Sequence, residues 1–422
     1  MLAIPTAKRL AVMLCTGAFA LALGGSPILV AEPAATNAPA QRIRTSGPTL
    51  PDIDVSGAPD GIVPLPDDVD DVFKVFDRYT KIIAPNGKPI HILVEPGYID
   101  RQVVYARKVL INHLTDLRGS TYGSDKTAIA NSMADNNAIL VLFYSTETMR
   151  RPAAREYFRS GVNTQDLREY ETLIEGSAGY MDQDDPTRDA SYEEILHFVQ
   201  AYGIEPADRP LADVLQNALV AAMAGDIYLL DHDESFEYFI CALEAYYDMW
   251  RHDPGGNGIR EAEYVPISRV SLAEVDPTMY EVIEEFFGEF WMYTAEIATE
   301  FEGTFSLTFD EDLTYTNKSQ HLTRAMLTGD NDSSLIGNAE DNSLFGNGGN
   351  NTIAPRAGFD VIDGGPGTDT AEFSGPYRDY VIRSVDGRIL VDDLKYARDG
   401  SNVLMSIEHL KFADRTIDTS EL

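Results

Sequence analysis

Residues 328–373 repeat with a period of nine, and a unit that small cannot bury a core of its own. It can fold only by stacking on its neighbours. Cut into nines, the stretch reads TGDNDSSLI, GNAEDNSLF, GNGGNNTIA, PRAGFDVID and GGPGTDTAE, followed by Phe373. The eighth column is Leu335, Leu344, Ile353, Ile362 and Ala371, small or aliphatic in every row. Each row therefore predicts a tight turn and a very short strand, with its eighth residue pointing into a thin apolar core. Two rows make one coil, so residues eighteen apart lie one above the other. The sixth column is Ser333, Asn342, Asn351, Asp360 and Asp369, which pairs Asn342 with Asp360 and Asn351 with Asp369. Glycines in the turns let main-chain carbonyls approach these side chains. Convergent oxygens of this kind suit a hard cation such as Ca2+, which takes six to eight of them. A Gly/Asn/Asp-rich flexible loop would share the composition but not the apolar column.

The last row fits the nonapeptide G-G-x-G-x-D-x-U-x, and the five rows resemble the RTX (haemolysin-type) calcium repeat. That resemblance implies a parallel β-roll over 304–375, with calcium held at Asn342, Asn351, Asp360 and Asp369. An Asn carbonyl is a weaker ligand than a carboxylate, so the two Asp rows are the stronger sites. Residues 376–422 carry FSG at their approach, then DYVI, a D-G turn and SIEHLKFAD. They resemble the segment that follows RTX repeats in type I-secreted proteins, which implies a β-rich cap and a secretion module.

The charge balance agrees with cation binding. Against 33 basic residues stand 68 acidic ones, a formal net charge of −35. Such a chain repels nucleic acid and anionic membrane surfaces, and calcium would relieve its self-repulsion. Of the two cysteines, Cys15 falls in an N-terminal stretch with the marks of an export leader (1–31). Lys8 and Arg9 precede the apolar run 10–25, which is too short and glycine-broken for a membrane span. After cleavage Cys241 would be the one thiol, with no internal disulfide. A leader and a C-terminal secretion signal are alternative export routes. Both predict a secreted or cell-surface protein whose mature chain has no membrane span and which meets the secretion machinery.

Residues 32–70 are rich in Pro, Ala and Asp and read as a linker. From 71 to 303 the pattern is that of an α+β domain. IHILVEP (90–96) and NAILVLFYS (137–145) read as strands, and 101–117 has helical spacing ended by Gly119.

Within that domain, 189–203 reads as a helix with Ile195, Leu196, Phe198, Val199 and Tyr202 on one face. Glu193 and His197, four apart, share another face, with Glu194 beside them. The run E-E-x-x-H resembles the zinc-peptidase motif H-E-x-x-H with Glu193 in place of the first histidine. By that resemblance Glu193 and His197 are metal ligands and Glu194 the general base. The plainer alternative is a solvated polar face, with Ser191 and Glu194 forming a capping box. Gluzincin-type peptidases take a third ligand from a glutamate on a following helix. Glu237, in the predicted helix 233–250, and Glu285, in EFFGEF (285–290), both qualify, and Glu237 is preferred. Tyr228 and Tyr280 are candidate oxyanion donors.

The sequence thus predicts a multidomain chain: leader, linker, zincin-like α+β domain, RTX β-roll and β-rich cap. The expected function is a secreted calcium-binding protein with a metal-dependent hydrolase domain. That domain would be peptidase-like, using zinc or another divalent transition metal on a protein substrate. The alternative is a non-enzymatic calcium-binding adhesive or matrix protein with a degenerate metal site.

Overall fold

The computed structural model describes residues 43–182, 189–229, 235–249, 263–310, 312 and 316–422. The expected leader and the first part of the expected linker lie outside these residues.

A five-stranded mixed sheet forms the first half, ordered β1 (Val63–Pro64), β2 (Arg78–Ile83), β3 (Pro89–Val94), β4 (Ile139–Phe143), β5 (Thr164–Arg168). β1, β2 and β3 run antiparallel, while β3, β4 and β5 run parallel. β4 is apolar throughout because both its faces are covered. Leu140 and Leu142 face the helices, and Ile139, Val141 and Phe143 face a second, smaller core.

That smaller core explains residues 43–70, read above as linker. Leu50, Ile53 and Val69 are buried in it beside Phe73, Phe76 and Tyr157. Two asparagines hold the strap in place. Asn137 takes Leu50 N at 2.9 Å and donates to Leu50 O at 3.0 Å, and Asn163 does the same for Arg44 at 2.8 and 3.1 Å. A side-chain amide reads a backbone N–H and C=O as a neighbouring strand would, so the strap is fastened at Arg44 and Leu50 without a ladder, while farther along Val63–Pro64 pairs with β2.

The helix expected over 101–117 is Asp100–Leu114 and stops short of Gly119. Thr115 turns extended, and Leu117 N pairs with Gly123 O at 2.7 Å to start a loop.

The second half consists of strands dealt into two open sheets, the first eight alternately, the next three all to one sheet and the last two to the other. One is ordered β14-β15-β16-β12-β10-β8-β6, the other β18-β17-β13-β11-β9-β7. Their spans are β6 (Trp291–Ile297), β7 (Gly303–Ser306), β8 (Leu322–Leu327), β9 (Ser333–Ile336), β10 (Ser343–Phe345) and β11 (Thr352–Ala354). Then come β12 (Phe359–Asp363), β13 (Thr370–Glu372), β14 (Tyr380–Val385), β15 (Arg388–Asp393), β16 (Ser401–Met405), β17 (His409–Lys411) and β18 (Thr416–Asp418). Pairing is parallel from β6 to β16 and from β7 to β17, and antiparallel where β14, β15 and β18 join. Leu344 lies opposite Ile362, Leu335 opposite Ile353, and Ile353 opposite Ala371, each eighteen residues on. All five eighth-column residues are buried between the sheets. The stacked strands start at Trp291, upstream of the repeat, and run on into the C-terminal segment.

One apolar cluster joins the halves. Trp291 of β6 stacks on Tyr247 with ring centroids 3.8 Å apart, and Tyr192 lies 4.7 Å from the same indole. Among the described residues, no helix is long and apolar enough to cross a membrane.

Candidate metal centres

The first centre is built on the helix Ser191–Val199. Asp189 Oδ1 fixes its start by accepting from Ser191 N at 3.0 Å and Ser191 Oγ at 2.6 Å, and Tyr105 donates to the other oxygen. Ile195, Leu196, Phe198 and Val199 are fully buried, as their spacing predicts. A π-helical turn, Gln200–Ile204, follows. It is pinned where Ser132 Oγ donates to Tyr202 O at 2.8 Å and Tyr202 OH to Thr164 O at 3.1 Å. Gly203 is required there, since a Cβ would come within 2.6 Å of Ile129 Cγ2.

The helix Ser235–Tyr246 brings the third group. Phe239, Ile240 and Leu243 bury one side of it, and Tyr238 donates to Asp276 Oδ2 at 2.6 Å, fixing its rotation. Glu237 then faces His197. One ligand atom each from Glu193, His197 and Glu237 lies within 4.8 Å of the other two. His197 Nε2 stands 3.7 Å from Glu237 Oε1, and Phe236 sets its ring edge-on against the imidazole with centroids 6.2 Å apart. Two ligands of a tetrahedral ion bound at roughly 2.0–2.2 Å lie roughly 3.4 Å apart. A few tenths of an ångström of side-chain movement would bring this pair to that distance. Two carboxylates and an imidazole make an N/O donor set suited to zinc and to harder divalent metals.

Glu194 does not cap its own helix. Its Oε2 accepts from Gln165 Nε2 at 2.6 Å, and Arg168 stands 3.8 Å from Oε1. His197 Nδ1 is 3.8 Å away. Burial, then the charges of Glu193, Asp166 and Glu171, push its carboxyl well above the usual carboxylate range, with Arg168 opposing them. Burial works against the charge on Arg168, but Glu171 and Asp166 outweigh it and keep the guanidinium protonated. Arg168 meets Glu171 at 2.7 Å. Gln165, Asp166 and Arg168 come from β5 and were missed in the sequence reading. The available signal was a strand, TQDLR, whose polar residues outnumber its apolar ones in a well-packed sheet.

The other candidates lie elsewhere. Glu285 Oε2 accepts from Thr121 N, and its main-chain oxygen from Gly123 N at 2.8 Å, so it braces the loop after Leu114. Tyr228 is buried against the rings of Tyr238 and Tyr264, and Tyr280 OH donates to Glu284 Oε1 at 3.3 Å.

The second set of oxygens lines the turns of the stack. In the Asn rows both ends of the amide are engaged. Asn342 Oδ1 accepts from Asn338 N at 2.8 Å while Nδ2 donates to Asn338 Oδ1 at 2.8 Å and Thr323 O at 3.4 Å. Asn351 repeats this with Asn347 N at 2.8 Å, Asn347 Oδ1 at 3.0 Å and Ser333 O at 3.1 Å. The amide N–H bonds occupy the carbonyls that a cation would otherwise satisfy. The Asp rows lack that donor. Asp360 Oδ1 accepts from Asn342 N at 2.8 Å and Asp369 Oδ1 from Asn351 N at 2.7 Å. Oδ2 of each is buried without a hydrogen-bond partner, as is Asn402 Oδ1 in the strand paired with Asp360. Burial pushes the carboxyl of Asp360 up to about 8 and that of Asp369 to about 6. A buried carboxylate oxygen left unpaired is costly, and a bound cation removes that cost. No model of a known protein family matches this sequence, and neither does any curated protein.

Proposed function

We propose that the chain is an exported, calcium-binding protein of RTX-like build whose helical half is a metal-dependent hydrolase acting on peptide-like substrates. The carrying observation is the convergence of Glu193, His197 and Glu237 from two helices, with Glu194 alongside. These residues would hold zinc or another divalent transition metal. A metal bound there lowers the pKa of a water and polarises a substrate carbonyl. Glu194 would accept the water's proton and return it to the leaving group. Gln165 orients that carboxylate through its amide N–H, and Arg168 keeps a positive charge near it. The mixed carboxylate and imidazole set leaves the identity of the metal to the harder side of the zinc range. Calcium is assigned to the Asp360 and Asp369 rows, where an unpaired carboxylate oxygen is buried, rather than to the self-satisfied Asn342 and Asn351 rows.

Metal analysis of the purified protein, exchanged into calcium alone, tests the hydrolase reading. Wild type should retain about one transition-metal ion per chain, and His197→Ala should lose it. Glu194→Gln should keep the metal while casein hydrolysis falls by on the order of 10²-fold or more. A wild type that holds no transition metal ends this reading. A second reading, a calcium-binding adhesive or matrix protein with a metal-free helical half, draws support from Glu194 itself. Its contacts to Gln165 and Arg168 would equally serve a structural carboxylate.

A further inference from the structure

The uppermost layer of the calcium ladder is not made of repeat residues. After Glu372 the chain leaves the nine-residue pattern, folds the hairpin of β14 and β15, and returns as β16 in parallel register with β12. The turn after β16 then sits over the turn after β12, as that one sits over the turn after β10. Gly346, Gly364 and Ser406 are the corresponding first residues of the three turns. A Cβ on Gly346 would strike the Gly364 carbonyl oxygen, and one on Gly364 would strike that of Ser406. Ser406 reaches this position in the left-handed region, at φ 49°.

The side chains continue the same ladder. Asn351 N donates to Asp369 Oδ1 at 2.7 Å, and one layer up Asp369 N donates to Glu408 Oε2 at 2.8 Å. Glu408 thus takes the sixth-column role although it lies outside the repeat and out of its phase. Its main-chain N returns to Asp369 O at 3.1 Å. Asp369 Oδ2, fully buried and without a hydrogen-bond partner, lies 2.6 Å from the point a Gly364 Cβ would occupy, beside the Ser406 carbonyl. Among the described residues, neither Asp369 nor Glu408 is held in an ion pair with a basic side chain. Two carboxylates and a main-chain carbonyl are the donors a hard divalent cation takes.

We propose that Asp369 Oδ2, the Ser406 carbonyl and Glu408 together hold one calcium ion, so that the C-terminal segment supplies ligands to the last turn of the repeat. This rests on the calcium reading of the repeat and adds to it that the site is shared. Occupancy then welds β16 and β17 to β12 and β13.

Calcium titration of the full chain by calorimetry after chelator treatment tests it, on wild type, Asp360→Asn, Asp369→Asn, Glu408→Gln and the double variant Asp369→Asn/Glu408→Gln. Glu408→Gln should weaken one site by at least about tenfold, no less than the loss of an outer-sphere partner causes. It should leave the site removed by Asp360→Asn untouched, and the double variant should match Asp369→Asn alone. If wild type binds calcium and Asp369→Asn loses a site while Glu408→Gln titrates like wild type, the shared site is overturned and the repeat reading stands. A wild type that binds no calcium overturns both. Should Glu408→Gln fail to fold, Glu408→Asp serves instead, and unaltered binding by that shortened carboxylate counts against the proposal.

Discussion

Glu175 offers a test of how the two halves are joined. It lies just after β5, is buried, and takes Ala298 N on its main-chain oxygen at 2.7 Å. Tyr293 of β6 donates to Oε1, while Oε2 has no hydrogen-bond partner. Burial pushes the carboxyl from 4.5 up to about 7, with the nearby Asp189 adding to it and Tyr293 and Lys318 opposing. At about 1.4 kcal/mol per pH unit, holding it ionised in the fold costs about 3 kcal/mol. Because the folded state keeps this proton more tightly than the unfolded chain, stability is fully present below pH 4.5 and is lost as the pH rises through 7. Linkage places about 2.5 kcal/mol of that loss between roughly pH 5 and pH 8. The assay is urea denaturation of wild type and Glu175→Gln at pH 5 and pH 8, in buffer with excess calcium. Other titrating groups contribute to both proteins, so the difference between the two pH slopes isolates this carboxyl. The amide should remove about 2.5 kcal/mol of the pH dependence and make the variant the more stable protein at pH 8. Parallel pH profiles for the two proteins would refute the reasoning, because Glu175 would then be ionised or solvated in the fold.

Ile362→Ala, at a fully buried eighth-column position, should cost about 2–5 kcal/mol by chemical denaturation, since neighbouring rows cannot close the cavity. Gly364→Ala places a methyl 2.6 Å from Asp369 Oδ2 and should lower calcium affinity, whereas Gly57→Ala, with open space around it, should leave calorimetric titrations unchanged. Glu237→Gln should reduce bound transition metal in elemental analysis, while Glu285→Gln should retain the wild-type content and loosen only the loop it braces.

What the sequence revealed follows from periodicity, and what it hid depends on contacts between distant segments. The apolar eighth column and its eighteen-residue stacking were readable because a short period leaves few ways to bury five side chains. Glu193 and His197 were readable as neighbours because helical spacing puts them there. The preference for Glu237 over Glu285 was a guess from spacing, and only the packing of Tyr238 on Asp276 turns Glu237 toward His197. The difference between Asn and Asp rows looked like one of ligand strength. In the fold it is one of donors, since the Asn342 and Asn351 amides supply the positive partner themselves. The strap over residues 43–70 was hidden because Asn137 and Asn163, far along the chain, do the fastening. Glu408 was hidden because a hairpin separates it from the repeat whose pattern it completes.

That hairpin has a consequence for how many molecules the stack contains. A pile of parallel strands with identical rungs presents the same unpaired N–H and C=O groups at its last rung as at every earlier one. It could therefore recruit a second chain and grow into a fibre. Here β15 runs antiparallel beside β16 and β18 antiparallel beside β17, so the parallel pairing stops at β16 in one sheet and at β17 in the other, and the edges are the hairpin strand β14 and the short β18. Arg383 and Asp392 pair across β14 and β15, and charged residues blunt a strand against edge-to-edge contact. The reversal acts as a length counter: it ends the run of parallel rungs within one chain and leaves a charged hairpin, not another identical rung, at that end of the stack.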